Sequence, residues 1–423
     1  MHEGDSKEAT RGTGIVSRRD VIKASGAGGL VGLTGLSGCL GVLSGGGGGT
    51  VKLGTAFPYT GAYSEEATTQ KQGVDLAVKE INENGGLDGQ DVEIVDRDTE
   101  LNGDTSARRI QDLINNEDID LLVANLSGGI SLQTNTQAKE AGIPYMAGCQ
   151  TIPDFHTQAD LYDCSYTPYA LNYQTQYANA QFIHENLGDT MFGLYADYAW
   201  GSDSWTHQKN AFQELGGTIE GEVAAPLGAS DFSSQLSSAE NSDADVLFIQ
   251  NLGADQATSI NQAREFGLHE DKEIFIGLTT VTVARRAGLD KWDNIYAGIQ
   301  YNANADNPAT NEFAEKMSDE YGNPGDSYSA VCYTATKEFE RAVNNAGSLD
   351  PEDITSAIND DPSFQHTKTE ESWRDCDNQS IQDWYIVQGK PQSEQEDEWD
   401  IFSFEDTQGG EDLLPACDSD LYT

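Results

Sequence analysis

The chain has 423 residues, with 71 Asp and Glu against 24 Lys and Arg, for a formal net charge of −47. A field of that sign repels nucleic acid and anionic lipid surfaces, which makes both poor partners. Hydrophobic residues still make up 37% of the chain, so the composition reads as folded domains under an acidic, salt-adapted surface of the kind a salt-loving archaeon would carry.

The first segment reads as an address. Arg18 and Arg19 after Ser17, with Lys23 behind them, resemble a twin-arginine export signal, although Val21 stands where an aromatic is usual. The uncharged run from Ala24 to Gly38 suits a signal h-region better than a membrane span, which needs about 20 apolar residues. Leu36-Ser37-Gly38-Cys39 resembles a lipoprotein signal box, with Cys39 as the lipid attachment point. The plainer alternative is an ordinary cleavage site with an incidental cysteine. Residues 1–38 are therefore expected to be the signal, and 39–50 a lipid-anchored tether whose Gly45 to Gly49 form a flexible coil.

Strand-like and helix-like segments then alternate. "VKLGTAF" predicts a strand, and "TQKQGVDLAVKEINENGG" a helix with Val74, Ala77, Val78 and Ile81 on one face, ended by Gly85 and Gly86. "DVEIVDRDT" follows as a strand, Ala107, Ile110, Leu113 and Ile114 stripe a helix, and "DLLVANL" is a buried strand. "ISLQTNTQAKEAG" and "IPYMAG" add a helix and a fourth strand. A second series runs through the helix "LNYQTQYANAQFIHENLG", the strands "TMFGLYAD", "TIEGEVAAPL" and "DVLFIQN", the helix "ADQATSINQAREFGL" and the strand "EIFIGL". After "NIYAGIQYN" come helices near Pro308 to Tyr321 and Tyr328 to Ala346, and a tail containing "DWYIV". This order implies α/β architecture with two parallel sheets flanked by helices, and ligands in such sheets gather at the carboxyl ends of the strands.

Of the 6 Cys, Cys332 lies in an apolar helical pattern and reads as a small buried hydrophobe. Cys149, Cys164, Cys376 and Cys417 can pair as two local disulfides, Cys149 to Cys164 and Cys376 to Cys417, one of three connectivities. No CxxC or Cys/His cluster suggests a metal, the six His show no Ser/His/Asp arrangement, and no glycine phosphate motif follows a strand. No catalytic residue, metal or cofactor is expected.

The stretch from Pro58 to Ile114 resembles the start of the branched-chain amino acid (Leu/Ile/Val-binding) type of periplasmic binding protein. It carries Pro-x-Thr-Gly at Pro58 to Gly61, Glu80-Ile81-Asn82, Gly85-Gly86 and Gly89. "AGIPYMA", "GLYADYAWG", "DFSSQL", "FIQNLGADQATSINQAREFGL" and "RDCDNQSIQDWYIV" continue the likeness to about Val387. The resemblance implies the type I two-lobed fold with three interlobe crossovers, lobe 1 spanning 51–170 and 301–361 and lobe 2 spanning 171–300 and 362–423. It implies an extracytoplasmic, membrane-anchored solute receptor of an ABC importer, a monomer working with permease and ATPase subunits and no nucleic acid. The ligand would be a branched-chain amino acid, an amide or a urea-like molecule. The alternative is a sensor of the same fold that signals through a separate membrane partner.

Under this resemblance Ser127 and Gly128, between a strand and a helix, would hold a carboxylate or carbonyl at the positive helix end, unless Ser127 is merely a cap. Gln150 and Thr151 stand where the family places a Ser/Thr pair on the ligand's polar head, beside Cys149. Tyr59, Tyr63, Tyr198 and Trp200 are expected on loops facing the cleft, where aromatic rings can stack on a ligand. Where amino-acid binders of the family place a carboxylate for the ligand ammonium, this chain has Leu278, Thr279 and Thr280. Thr279 is a candidate contact, and Asp197 a possible substitute for the missing carboxylate.

Overall fold

The computed structural model describes residues 49–156, 161–417 and 419. The export segment and Cys39 lie outside these. Among the described residues no helix is long and apolar enough to cross a membrane.

Five parallel strands form the first sheet: β1 (Thr50–Phe57), β2 (Asp91–Asp98), β3 (Leu121–Ala124), β4 (Tyr145–Ala147) and β5 (Ser165–Tyr166), in the order β2-β1-β3-β4-β5. β3 is buried along its whole length, as its unbroken apolar run requires of a parallel strand covered on both faces. Helix Ser64–Glu83 covers one face with Ala67, Val74, Ala77, Val78 and Ile81. Gly73 lets it approach helix Ser327–Ala346 closely, since a Cβ there would sit 2.1 Å from the Ser329 carbonyl oxygen.

The second sheet begins with five more parallel strands: β6 (Thr190–Ala196), β7 (Thr218–Ala225), β8 (Val246–Gln250), β9 (Glu273–Thr279) and β10 (Ile295–Ile299). The chain then returns to the first lobe through helices Pro308–Tyr321, Ser327–Ala346 and Pro351–Asp360. A small antiparallel sheet follows, made of β11 (Ser363–Phe364), β12 (Glu371–Trp373) and β13 (Ser380–Ile381). Two antiparallel strands, β14 (Trp384–Gly389) and β15 (Phe402–Gln408), complete the second sheet in the order β15-β14-β10-β9-β8-β6-β7.

The last crossing lies about twenty residues later than the expected return at residue 362. Phe364 and Trp373 belong to the core of the first lobe, where the Trp373 ring meets Tyr166 at 5.0 Å, and Thr167 pairs with Gln379. Those two large aromatic residues would otherwise expose their rings, so the small sheet stays with the first lobe. A helix at Ala199–Glu214 was absent from the sequence reading. Its buried face is Gly201, Ser204, Trp205, Gln208, Ala211 and Phe212, half of it polar or small, which blunts the apolar period.

Cys376 and Cys417 form a disulfide, whereas Cys149 and Cys164 are free and buried, which corrects the expected first bridge. The reason is register. Tyr145 N–H donates to the Cys164 carbonyl, so Cys164 lies level with the start of β4, while Cys149 lies beyond its end. Four to five residues of extended chain separate the two levels by roughly 15 Å, far more than a disulfide spans. Cys332 is buried and unbonded to another cysteine.

Polar side chains tie the three crossings together. Gln300, just past β10, accepts from the Ala170 N–H at 3.3 Å, Gln382 donates to the Pro168 carbonyl at 3.1 Å, and Gln174 donates to the Gln382 carbonyl at 2.7 Å. Lys368 joins the second and third crossings, donating to the Gln300 carbonyl (3.1 Å), Gln382 Oε1 (2.9 Å) and the Asp383 carbonyl (2.7 Å). Lys368 and Glu371 are both buried. Burial lowers the ammonium pKa and raises the carboxyl, and Glu371 and Asp383 supply the counter-charge to Lys368.

Candidate functional site

A cavity of about 160 Å³ lies between the lobes, at the carboxyl ends of the parallel strands of both sheets. Tyr63 follows β1, Leu101 follows β2, and Leu126, Ser127 and Gly128 follow β3. Cys149 and Thr151 follow β4, and Tyr328 enters from the first turn of helix Ser327–Ala346. From the second lobe, Tyr198 and Trp200 follow β6, Leu227 follows β7, Leu252 follows β8, and Leu278 is the penultimate residue of β9. In an open α/β sheet this is where loops are free to vary while the strands fix their roots.

The backbone makes two unusual bends to present this wall. Glu100 and Leu101 are both left-handed (φ 54° and 51°), a conformation that costs a bulky L-residue about 1 kcal/mol or more. Asn125 bends likewise at φ 75° between β3 and Leu126. Its amide holds that bend by donating to Thr134 Oγ1 and the Tyr145 hydroxyl, both at 2.9 Å, while Gln70 donates to its carbonyl at 2.9 Å.

Six of the nine expected contacts line the cavity: Tyr63, Ser127, Gly128, Thr151, Tyr198 and Trp200. Three do not. The Tyr59 hydroxyl donates to Asp96 at 2.8 Å and its ring packs edge-on against Phe57, which turns it into the first lobe. Gln150 is fully buried, its amide closed on the Ile152 backbone at 2.6 and 3.0 Å, so it braces the loop. Thr279 is also fully buried and donates to Gln256 Oε1 at 2.7 Å. Asp197 is exposed and outside the lining. Tyr198 and Trp200 lie at the N-terminus of a helix, not on a loop.

Ser127 occupies the N-cap of helix Gly128–Ala141, but its side chain makes no capping bond. Simple capping therefore does not account for its hydroxyl. The residues that the sequence reading missed are Leu101, Leu126, Leu227, Leu252, Leu278 and Tyr328. Leu252 and Leu278 could have been found by the same rule that found Ser127, since each sits at the carboxyl end of a parallel strand.

Across the cleft, the hydroxyls of Tyr63 and Tyr198 meet at 2.9 Å. Burial pushes both pKa values up, so each stays a neutral phenol. Thr282 of the second lobe donates to Asp326 of the first at 2.7 Å, and Arg286 donates through Nε to Glu65 at 3.0 Å. Arg286 is also 3.7 Å from Glu66, whose carboxyl burial pushes up to about 7 against the opposing pull of that guanidinium. Burial raises the Cys149 thiol as well, which keeps it an inert wall of the cavity. Among the described residues no group of His, Cys, Asp and Glu could hold a metal ion.

The family model described as periplasmic binding protein matches residues 50–395. A Leu/Ile/Val-binding protein homolog 8 of Brucella abortus (strain 2308) is 24% identical over 324 residues, 73% of this chain and 79% of that protein. Among solved structures, the branched-chain amino acid transporter substrate-binding protein LivJ from Streptococcus pneumoniae, in complex with isoleucine, superposes with a TM-score of 0.75 at 20% identity, covering 85% of this chain and 99% of its own. A solute-binding protein of an ABC transporter from R. palustris, in complex with 4-hydroxybenzoate, gives a TM-score of 0.78 at 19% identity, covering 86% and 98%. Two lobes built on largely parallel sheets around one cleft and a family match across nearly all of the folded body agree: the chain belongs to the periplasmic binding protein family, whose members are extracytoplasmic solute receptors and not enzymes.

Proposed function

We propose that this chain is the lipid-anchored solute receptor of an ABC importer, holding a small organic molecule between its lobes and presenting it to a permease. The observation that carries the reading is the cavity, to which the carboxyl ends of eight parallel strands in two sheets contribute, so that each lobe alone supplies half a wall. The two relatives solved with isoleucine and with 4-hydroxybenzoate bracket the solute as an amino acid or an aromatic acid. Export, Cys39 lipidation and a glycine tether suit a receptor that must stay beside a transporter in a salt-rich exterior while its body moves.

Trp200 tests the site. It is half-buried at the cavity and packs on Tyr198 at 5.9 Å, so it carries ligand contact and little core. Trp200→Ala should weaken binding of any solute found by thermal-shift screening by about tenfold to a hundredfold and leave the melting temperature of the empty protein nearly unchanged. Unfolding of the empty variant with affinity per folded molecule intact would make Trp200 a core residue and refute the site. For the anchor, Cys39→Ala should move the protein out of the membrane fraction, and an unmodified Cys39 in membranes by intact mass would refute it.

A further inference from the structure

The cavity wall is one-sided in its chemistry. Among the described residues lining it, none is Asp, Glu, Lys, Arg or His. Leu101, Leu126, Leu227, Leu252, Leu278 and the Trp200 ring offer an apolar bed, and the polar side-chain groups present are hydroxyls, one thiol and the Trp200 indole N–H.

Two of those hydroxyls are unspent. Thr151 and Tyr328 are 3% and 1% exposed and line the cavity, yet neither side-chain oxygen has a hydrogen bond to any described residue. Both oxygens open on the cavity, where they can pair with a ligand in place of water. The Ser127 hydroxyl, free of its cap, stands beside them at the start of helix Gly128–Ala141, where the first backbone N–H groups carry partial positive charge. Tyr63 and Tyr198, one donating to the other, leave a further hydroxyl proton to offer.

A cation finds no such reception. The nearby carboxylates stand outside the lining: Asp255 accepts from the Gly228 N–H at 2.8 Å, Asp326 accepts from Thr282 and from the first N–H groups of its own helix, and Glu66, whose carboxyl oxygens accept no hydrogen bond, is raised by burial to about 7 and lies 3.7 Å from Arg286. Asp255 and Glu66 act on Tyr63 from behind the wall, and neither lines the cavity. An ammonium placed here would lose its water without gaining a counter-charge.

We infer that the cleft selects a ligand with one carboxylate head and an apolar body and no ammonium, that is, a free aromatic or branched-chain carboxylic acid in preference to the corresponding α-amino acid. This rests on the cleft being the ligand site, as proposed above. Donors outnumber charged acceptors on the wall, and the leucines and Trp200 accept either a planar or a branched body.

Isothermal titration of the refolded, ligand-free protein in high salt decides it, using benzoate, 4-methylpentanoate, benzamide, phenylalanine, leucine and 3-methylbutylamine. 4-Methylpentanoate should bind at least about tenfold more tightly than leucine, which differs from it only by the ammonium, benzoate should bind more tightly than phenylalanine, and the amine should not bind. Thr151→Val and Tyr328→Phe should each weaken acid binding by about tenfold, with folding checked by circular dichroism. Leucine or phenylalanine binding as tightly as the acids would overturn the inference while leaving a cleft receptor standing. Benzamide matching benzoate would overturn the anionic head. If no probe binds at millimolar concentration, the ligand class is overturned, and the receptor reading is then judged alone by whether Trp200→Ala abolishes the response to a solute from the thermal-shift screen.

Discussion

Lys368 offers a sharp test of how the lobes are joined. Its ammonium is buried and donates to two backbone carbonyls and Gln382 Oε1, so Lys368→Met removes three charge-assisted hydrogen bonds from two crossings at once. Each bond to a charged group contributes about 1.5–3 kcal/mol net, but bonds that share one ammonium share its desolvation cost and do not add. The balance for breaking a buried pair is about 3–5 kcal/mol of destabilisation, because the partner is left behind unpaired. Here no direct ion pair is broken: Glu371, 3% exposed with a carboxyl raised by burial, supplies counter-charge without touching the ammonium, and the groups left without their donor are the Gln300 and Asp383 carbonyls and Gln382 Oε1. The expected outcome is loss of about 3–5 kcal/mol in urea unfolding at pH 7. Adding Glu371→Gln to Lys368→Met should recover part of it, a coupling that a double-mutant cycle reads directly. If Lys368→Met unfolds within about 0.5 kcal/mol of the wild type, a change typical of an unremarkable surface position, the crossings are not held by this network and the reasoning fails.

Glu66 should give the protein a pH dependence of unusual sign. Burial lifts its carboxyl from the ordinary 4.5 to about 7, so between those values the folded state holds a proton that the unfolded state has lost, and stability falls as pH rises through that window, by about 3 kcal/mol at most. Glu66→Gln cannot ionise, so its melting temperature should gain on the wild type from pH 5 to pH 8, and parallel curves would refute the assignment. The Cys376 to Cys417 bond closes a separation of 41 residues, worth about 4 kcal/mol in the chain-entropy account. Cys376→Ser should lose stability of that order in denaturant unfolding, and an unchanged midpoint would show that the tail is held by other contacts.

Much of the fold was legible because parallel strands announce themselves: a buried run such as "DLLVANL" or "DVLFIQN" has no polar face to confuse it with anything but core. The strand-end rule then located Ser127, Thr151, Tyr198 and Trp200 at the cavity. The same rule misplaced Gln150 and Thr279, because a polar residue at a strand end can turn inward when a partner waits there, as Gln256 does for Thr279. Leu126 was unreadable as cavity wall for the opposite reason, since a leucine next to a buried strand looks like core. Tyr328 enters from a helix more than a hundred residues further along the chain than any other wall residue of its lobe, and only the fold brings it there. The Cys149 to Cys164 pairing failed because closeness in sequence says nothing about level along a strand.

The polar contacts between lobes around the cleft are few, and they stand beside an apolar cluster in which Tyr63, Leu126 and Tyr328 of the first lobe meet Leu252 and Leu278 of the second. The Arg286 to Glu65 pair is substantially exposed, with the Glu65 side chain 58% accessible, and exposed pairs contribute little. The Tyr63 to Tyr198 and Thr282 to Asp326 bonds each return about 1 kcal/mol net. Polar contacts of that size add little to the apolar cluster at the cleft, while the crossings tied by Gln300, Gln382 and Lys368 keep the domains from drifting apart. What remains to tip the balance is the filling of the cavity itself: a ligand that satisfies Thr151 and Tyr328 on one lobe while covering Trp200 and Leu278 on the other interacts with both walls only when they are together. Its differential affinity for the two arrangements is then the free energy of closure, and a solute that cannot spend the free hydroxyls gains too little from the second wall to close it.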